Sequence, residues 1–184
     1  MIRKIIATTE AMERFWRRAH GWAPADAAEL LAAARLDRQV SFAHTLSDYL
    51  QPFPSAEAEA RLILGYVTLR SLCEGILKLF FVVWWRDYWK DADAVKDKKT
   101  GMVKKPGDVG LDRLIGLYSA KADSKYEALL RRIQQRGNAI HHFNDKETGS
   151  QEELVADIAH FLEFLLAVNG RLPYPDDAYD PAYS

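Results

Sequence analysis

The sequence has a single cysteine, no long apolar run, and first residues that do not resemble an export signal. One cysteine, Cys73, forms neither an intrachain disulfide nor a cysteine-rich zinc site, and its apolar surroundings predict a small core residue. The N-terminus becomes polar at Arg3, too early for a signal peptide. The strongest apolar run covers residues 79–85, whereas a membrane-spanning helix needs roughly 20 apolar residues. We therefore expect a cytoplasmic protein that makes no membrane contact.

Neither sign of charge dominates, and the common metal and nucleotide motifs are missing. The chain has 25 Lys and Arg residues against 26 Asp and Glu, for a formal net charge of −1. Any argument for a nucleic-acid partner must therefore be local. The five histidines form no His-x3-His pair, no acidic stretch has EF-hand spacing, and no glycine-rich phosphate loop occurs. The sequence predicts no bound metal and no cofactor.

What the sequence does have is helical periodicity. It is 184 residues long and 48% hydrophobic, which fits one domain with a sizeable core. The segments predicted to be helical are residues 8–20, 25–50, 55–88, 111–118, 124–143 and 150–169. The predicted fold class is all-α, an up-and-down bundle of four to five core helices over residues 1–170. Residues 171–184, which are rich in proline, should form an extended or disordered tail.

Two capping boxes mark the starts of the last two predicted helices. Ser124 is followed by Glu127, and Ser150 by Glu153. At this spacing each side chain of the pair caps the other residue's backbone N–H, so both serines are predicted to be N-caps.

Residues 90–110 are rich in lysine, glycine and mixed charge, which predicts an exposed loop. Two interpretations of this loop stay open. It is either a solvated linker or a basic loop that contacts phosphates through residues such as Lys104 and Lys105.

One cluster of side chains is able to do chemistry: Arg136-Gly-Asn-Ala-Ile-His141-His142. Its polar side chains surround an apolar helical stripe made of Tyr126, Leu130, Ile133, Gly137 and Ile140. Glycine in a helix costs roughly 1 kcal/mol relative to alanine, and the close approach of a neighbouring helix or second subunit would explain Gly137. On an ideal helix His141 projects about 40° from Gly137, while Arg136 lies about 100° to the other side. Asn138 lies on the His141 side, and His142 points away from the stripe.

A titratable imidazole beside a guanidinium suits metal-independent cleavage of RNA. The imidazole takes the 2′-OH proton, and the arginine stabilises the charge that develops on the phosphate. Structural interpretations remain open as well. Adjacent histidines at a helix end are commonly a surface or capping feature, and Glu74 and Lys78 have the spacing of a helix-surface salt bridge. In the functional interpretation, Glu74 instead orients Arg136 or His141 from a neighbouring helix.

Two segments together resemble the HEPN superfamily, a group of helical bundles that includes RNA-cleaving toxins and phage-defence effectors. Residues 66–80 contain Glu74-x-x-x-Lys78 and are similar to the family's first core helix. Residues 136–146 resemble its Arg-x4-6-His signature, in which Arg136 pairs with either His141 or His142. The family usually has a polar residue directly after the arginine, where this chain has Gly137.

The resemblance implies an endoribonuclease that works as a homodimer. Arg136 would bind the scissile phosphate, and His141, or alternatively His142, would be the general base. Asn138 and Glu74 would support them. The basic residues predicted to contact RNA are Lys78, Arg132, Lys104 and Lys105.

Geometry agrees with a dimer, because Arg136 and His141 diverge by about 140° on a straight helix and two copies would gather them better than one. The expected partners are an RNA substrate and an antitoxin or defence-complex protein. The alternative is a non-catalytic HEPN-like module that binds RNA or a protein.

Overall fold

The structure is a computed structural model that describes residues 1–141 and 147–175. Over those residues the chain is an all-α bundle, as predicted, with eight α-helices and no β-strand. The helices are α1 (Ile2–Trp16), α2 (Ala25–Ala33), α3 (Leu36–Thr45), α4 (Ala58–Val83), α5 (Trp85–Lys90), α6 (Leu111–Lys121), α7 (Glu127–Gly137) and α8 (Gln151–Asn169). Short 3-10 turns cover Leu46–Tyr49, Pro106–Asp108, Ser124–Tyr126 and Asn138–His141.

Helix α4 is the central element of the bundle. Its 26 residues form a rod about 39 Å long, and α2, α3, α6, α7 and α8 all pack against it. Leu69, Leu72 and Cys73 on α4 are fully buried, which confirms the prediction that Cys73 is a core residue. Because α4 buries apolar side chains on several sides, it can hold residues from different helices in fixed positions around it.

The predicted boundaries of the first helices are wrong. Residues 25–50 do not form one helix, because Ala34 adopts an extended conformation (φ −71°, ψ 141°) and separates α2 from α3. Both pieces pack against α4, so tertiary packing overrides the helical propensity of the segment. The helix predicted over residues 55–88 ends at Val83, and Trp84 (φ −92°, ψ 32°) separates it from α5. Helix α1 begins at Ile2, well before the predicted start at residue 8.

The two predicted capping boxes have opposite outcomes. At the start of α8, Ser150 Oγ accepts a hydrogen bond from the Glu153 N–H, and the Glu153 carboxylate accepts one from the Ser150 N–H at 2.9 Å, so this prediction is confirmed. The capping box at Ser124 is wrong. Asp123 caps that turn instead, with its carboxylate accepting a hydrogen bond from the Lys125 N–H at 2.9 Å. The carboxylate one residue earlier takes the place predicted for the hydroxyl.

The segment between α5 and α6 is folded back on itself by backbone hydrogen bonds. Lys96 and Val103 form an isolated antiparallel bridge, and the Lys104 N–H donates to the Val95 carbonyl at 2.8 Å. No α-helix covers residues 91–105, in agreement with the predicted loop. The lysines of this loop therefore lie on a turn that backbone hydrogen bonds stabilise.

The first residues of the predicted tail pack on the bundle. The Tyr174 ring lies 5.3 Å from the Trp16 ring, and its hydroxyl donates to Asn169 Oδ1 at 2.5 Å. The rest of that tail, residues 176–184, lies outside the described residues. Of the helices in the described part of the chain, none combines the length and the apolar character needed to cross a membrane.

Candidate functional site

The guanidinium of Arg136 is buried where α4, α7 and α8 meet. Arg136 is in the last turn of α7 and is only 5% exposed. Its Nη1 donates to the Tyr66 hydroxyl at 2.7 Å, and its Nη2 donates to Glu153 Oε1 at 2.9 Å. Tyr66 belongs to α4 and Glu153 to the first turn of α8. One side chain therefore ties three helices together.

Asp157, on α8, is buried beside Tyr66 and Arg136. Its carboxylate accepts hydrogen bonds from Arg132 Nε and Nη2, the shorter at 2.6 Å, and from the Tyr66 hydroxyl at 3.2 Å. Arg136 Nη1 lies 3.7 Å from Asp157 Oδ2. A buried carboxylate needs such partners because an unpaired buried charge is costly. We call Tyr66, Arg132, Arg136, Glu153 and Asp157 the buried charge network, after its buried members Tyr66, Arg136 and Asp157; the side chains of Arg132 and Glu153 are 41% and 51% exposed.

The pKa shifts of Tyr66, Arg132 and Glu153 favour the protonation states that their hydrogen bonds require. Burial raises the pKa of Tyr66 to about 12, and the negative charge of Asp157 adds to the shift, so the hydroxyl remains a donor. The hydrogen bond from Arg136 lowers the pKa of Glu153, and the Ser150 N–H contributes in the same direction. The hydrogen bonds to Asp157 raise the pKa of Arg132.

Gly137 allows α7 to approach α4 closely enough to form this network. A Cβ on Gly137 would lie 3.0 Å from the Tyr66 carbonyl oxygen and 2.8 Å from Arg70 Cδ. The expectation that a neighbouring helix approaches at this glycine is confirmed. The loss of helix propensity at Gly137 is thus offset by the contact that brings Arg136 to Tyr66.

His141 lies on the other side of a change in backbone geometry. Helix α7 ends at Gly137, and Asn138–His141 form a 3-10 turn. His141 is exposed, whereas Arg136 is buried. Ile140, predicted to belong to the apolar stripe, is 48% exposed, so the stripe prediction is wrong at that residue. Angles projected along a straight α-helix do not hold past Gly137. His142, the alternative base, lies outside the described residues.

Glu74 forms the salt bridges expected of a helix-surface row. Its carboxylate lies 2.7 Å from Lys78 Nζ and 3.7 Å from Arg70 Nη2, both one helical turn away on α4. The carboxylates that hold Arg136 come from Glu153 and Asp157 of α8.

Three arginines of α7 share a surface cavity of about 320 Å3, which we call the arginine cavity. It is lined by Ala128, Arg131, Arg132, Gln135, Arg136 and Glu147. Glu147 Oε1 lies 3.7 Å from Arg136 Nη2, and the Glu147 side chain is 82% exposed. Two carboxylates with exposed side chains, those of Glu147 and Glu153, thus lie near Arg136 Nη2.

The other predicted RNA-contacting residues lie elsewhere on the surface. Lys78 and Lys105 line a different cavity of about 470 Å3, next to α2 and α3. Lys104 lines a third one, beside the loop before α6. Of the predicted site residues, Arg132 and Arg136 therefore line one cavity, whereas Lys78, Lys104 and Lys105 line others.

Sequence reasoning missed Tyr66, Glu153 and Asp157 as partners of Arg136. A signal for Asp157 was available, because it follows Leu154 by three residues and precedes Phe161 by four, which places a carboxylate on the apolar face of α8. An acidic residue on a buried face predicts a buried basic partner.

Within residues 1–141 and 147–175 no group of three or more His, Cys, Asp or Glu side chains is arranged to hold a metal ion. Comparison with known proteins adds no assignment, since no family model, curated protein or solved structure matches the chain.

Proposed function

We propose that this chain is a metal-independent endoribonuclease of the HEPN type, acting as a toxin or antiphage effector. The observation that supports it is the arginine cavity, where the Glu147 carboxylate lies 3.7 Å from Arg136 Nη2. A carboxylate and a phosphate present similar oxygens to a guanidinium. Because the Glu147 side chain is 82% exposed and lies beyond hydrogen-bond distance of Arg136, a phosphate can displace it at little cost.

In the proposed reaction the imidazole of His141, with His142 as the alternative, takes the proton of a ribose 2′-OH. The freed oxygen attacks the adjacent phosphorus, the bond to the 5′-oxygen breaks, and the leaving oxygen takes a proton back from the imidazolium. Arg136 stabilises the charge on the phosphate. Its hydrogen bonds to Tyr66 and Glu153 fix the guanidinium in advance, which is how a preorganised group contributes most.

The proposal includes a homodimer. Arg136 is buried and His141 is exposed, so the two side chains of one copy do not share a pocket for the same phosphate. Ile140, next to His141 and 48% exposed, offers an apolar contact for a second copy. Two copies with facing 136–141 segments would place the histidine of one near the arginine cavity of the other.

A second candidate is favoured by the buried charge network. Arg136 already has Tyr66, Glu153 and Asp157 as partners, which is enough to explain its retention as a structural residue. In this candidate the chain is a non-catalytic HEPN-like module that binds RNA or a protein, for example in a toxin–antitoxin complex.

Cleavage of total RNA by the purified protein in EDTA separates the two candidates. We expect products ending in 2′,3′-cyclic phosphate, and a loss of rate of about 10²–10⁴-fold in His141→Ala or His142→Ala, the usual size of general-base catalysis. His160→Ala, which removes an exposed histidine of α8, is the matched control and should keep the wild-type rate. Absence of cleavage by the folded wild type, or unchanged cleavage in both His141→Ala and His142→Ala, would reject the nuclease in favour of the binding module.

A further inference from the structure

One surface cavity next to the arginine cavity has a strong excess of positive charge. This cavity, the basic groove, measures about 780 Å3 and lies between the 93–104 loop, α6 and α7. Seven cationic residues and three aspartates line it, an excess of four positive charges. Since the whole chain has a net charge of −1, the residues outside this cavity carry a net charge of −5. Positive charge is therefore concentrated here.

Four of these cations have no acidic partner among the residues that the structure describes. The side chains of Lys96, Lys98, Lys99 and Arg113 are exposed and make no hydrogen bond or ion pair with any described residue. A groove that concentrates unpaired cations attracts a polyanion, because binding releases the counterions condensed on its phosphates.

The basic groove shares a lining residue with each of two other cavities. Arg131 lines both the basic groove and the arginine cavity. At the far end, Lys96 lines both the groove and a cavity of about 440 Å3 that contains Trp89 and Met102. We call the last one the tryptophan cavity. Its two large apolar side chains are unusually exposed, Trp89 at 57% and Met102 at 70%.

We infer that these three cavities form one binding surface for single-stranded RNA that leads to Arg136. The phosphates lie along the groove cations, and an unpaired base stacks on Trp89. Cations that follow the backbone combined with an exposed aromatic ring are the features that bind single strands without sequence preference. Double-stranded RNA would leave Trp89 without a base to stack on. The inference extends the proposed function and rests on it for the choice of RNA among polyanions.

Fluorescence anisotropy with a labelled 2′-O-methyl 12-mer tests this surface. The probe lacks the attacking hydroxyl, so binding is measured without cleavage. With four phosphate contacts, we expect the logarithm of the binding constant to fall with the logarithm of salt concentration at a slope of about −3, from about −0.7 per contact. The combined variant Lys96→Gln, Lys98→Gln, Lys99→Gln, Arg113→Gln should lose most of this slope and at least about tenfold in affinity at low salt.

The matched control removes four exposed cations outside the three cavities, in the variant Arg3→Gln, Lys4→Gln, Arg18→Gln, Arg38→Gln. It has the same net charge as the groove variant and should bind like the wild type. Equal weakening in both four-residue variants would mean that total charge alone attracts the probe, and would overturn the inference.

Stacking is tested separately at Trp89. Trp89→Ala should weaken binding by about 5- to 150-fold, the range for loss of one stacked base, while Trp89→Phe keeps a ring and should remain within about threefold of the wild type. An unchanged affinity in Trp89→Ala overturns the stacking contact.

Polyglutamate that competes as well as unlabelled oligonucleotide would show that the groove binds an acidic protein, and this also overturns the inference. Binding without cleavage by the wild type on ordinary RNA rejects only the nuclease, and His141-dependent cleavage with no groove effect rejects only this surface.

Discussion

Arg131 and Arg132 are consecutive residues of α7, and each binds an aspartate at 2.6 Å, but the two pairs have different surroundings. The side chain of Asp112, the partner of Arg131, is 69% exposed, whereas that of Asp157, the partner of Arg132, is 3% exposed. An exposed ion pair contributes about 0–1 kcal/mol, but removing one member of a buried pair costs about 3–5 kcal/mol. Equal distances therefore do not mean equal stabilisation, because the contribution of each pair depends on how deeply its aspartate is buried.

The arginines of α7 differ in how deeply their acidic partners are buried. Arg132 and Arg136 both bind the buried carboxylate of Asp157, which links α7 to α8. The partners of Arg131 are a solvent-exposed aspartate and Glu127 one turn earlier, which a phosphate can replace. Neighbouring residues of one helix thus have acidic partners that differ strongly in burial.

Asp157→Asn should give the largest loss of stability, and Asp112→Asn is its matched control. The first substitution leaves the buried guanidinium of Arg136 without the Asp157 carboxylate and removes the partner of Arg132, at a cost of about 3–5 kcal/mol in the free energy of unfolding. The second removes an exposed partner of Arg131 and should cost no more than about 1 kcal/mol. Urea unfolding followed by far-UV circular dichroism measures both.

Should Asp157→Asn fail to fold, Tyr66→Phe gives a milder test of the same network. It removes the hydroxyl that bonds Arg136 and Asp157, and should cost about 1–3 kcal/mol. Similar unfolding free energies for the Asp157 and Asp112 variants would contradict the comparison between the buried and the exposed pair.

Two glycine substitutions extend the comparison to the backbone. Gly137→Ala should destabilise the protein by about 1–3 kcal/mol, because its Cβ would meet the Tyr66 carbonyl at 3.0 Å and Arg70 at 2.8 Å. Gly116→Ala, in α6 on the side of the basic groove, places its Cβ at an ordinary 3.6 Å from Arg131. There the gain in helix propensity should stabilise the protein by about 0.4–1 kcal/mol. Thermal unfolding should show midpoint shifts of opposite sign, and shifts of the same sign would argue against close packing at Gly137.

Local sequence signals predicted the parts of the fold that local interactions determine. The Ser150 capping box depends on two residues within one helical turn of each other, and it is present. The break at Ala34 depends on how α2 and α3 each pack against α4, which has no local signature. Propensity alone therefore predicted one helix where there are two.

The candidate site was only partly predictable for a related reason. Gly137 indicated a close helix approach, and the residue it approaches is Tyr66. The burial of Arg136 could not be deduced from α7 alone, because its partners come from α4 and α8. The exposure of His141 depends on the change to a 3-10 turn at Asn138, which an ideal helical projection does not contain.

Glu153 belongs both to the α8 cap and to the buried charge network, and it should make a small, pH-dependent contribution. Its pKa is lowered by the hydrogen bond from Arg136 and then by the Ser150 N–H, so the folded state favours the carboxylate. That contribution is complete above the ordinary pKa of 4.5 and is lost as the pH falls through the lowered folded-state pKa. Below about pH 4.5 the wild type should therefore lose stability more steeply than Glu153→Gln, which has no carboxyl group to protonate. Glu163→Gln removes the same charge from α8 and should follow the wild-type slope. Unfolding midpoints between pH 3 and pH 6 measure the difference. Parallel plots of midpoint against pH for the wild type and Glu153→Gln would mean that the Glu153 charge does not stabilise the fold through Arg136.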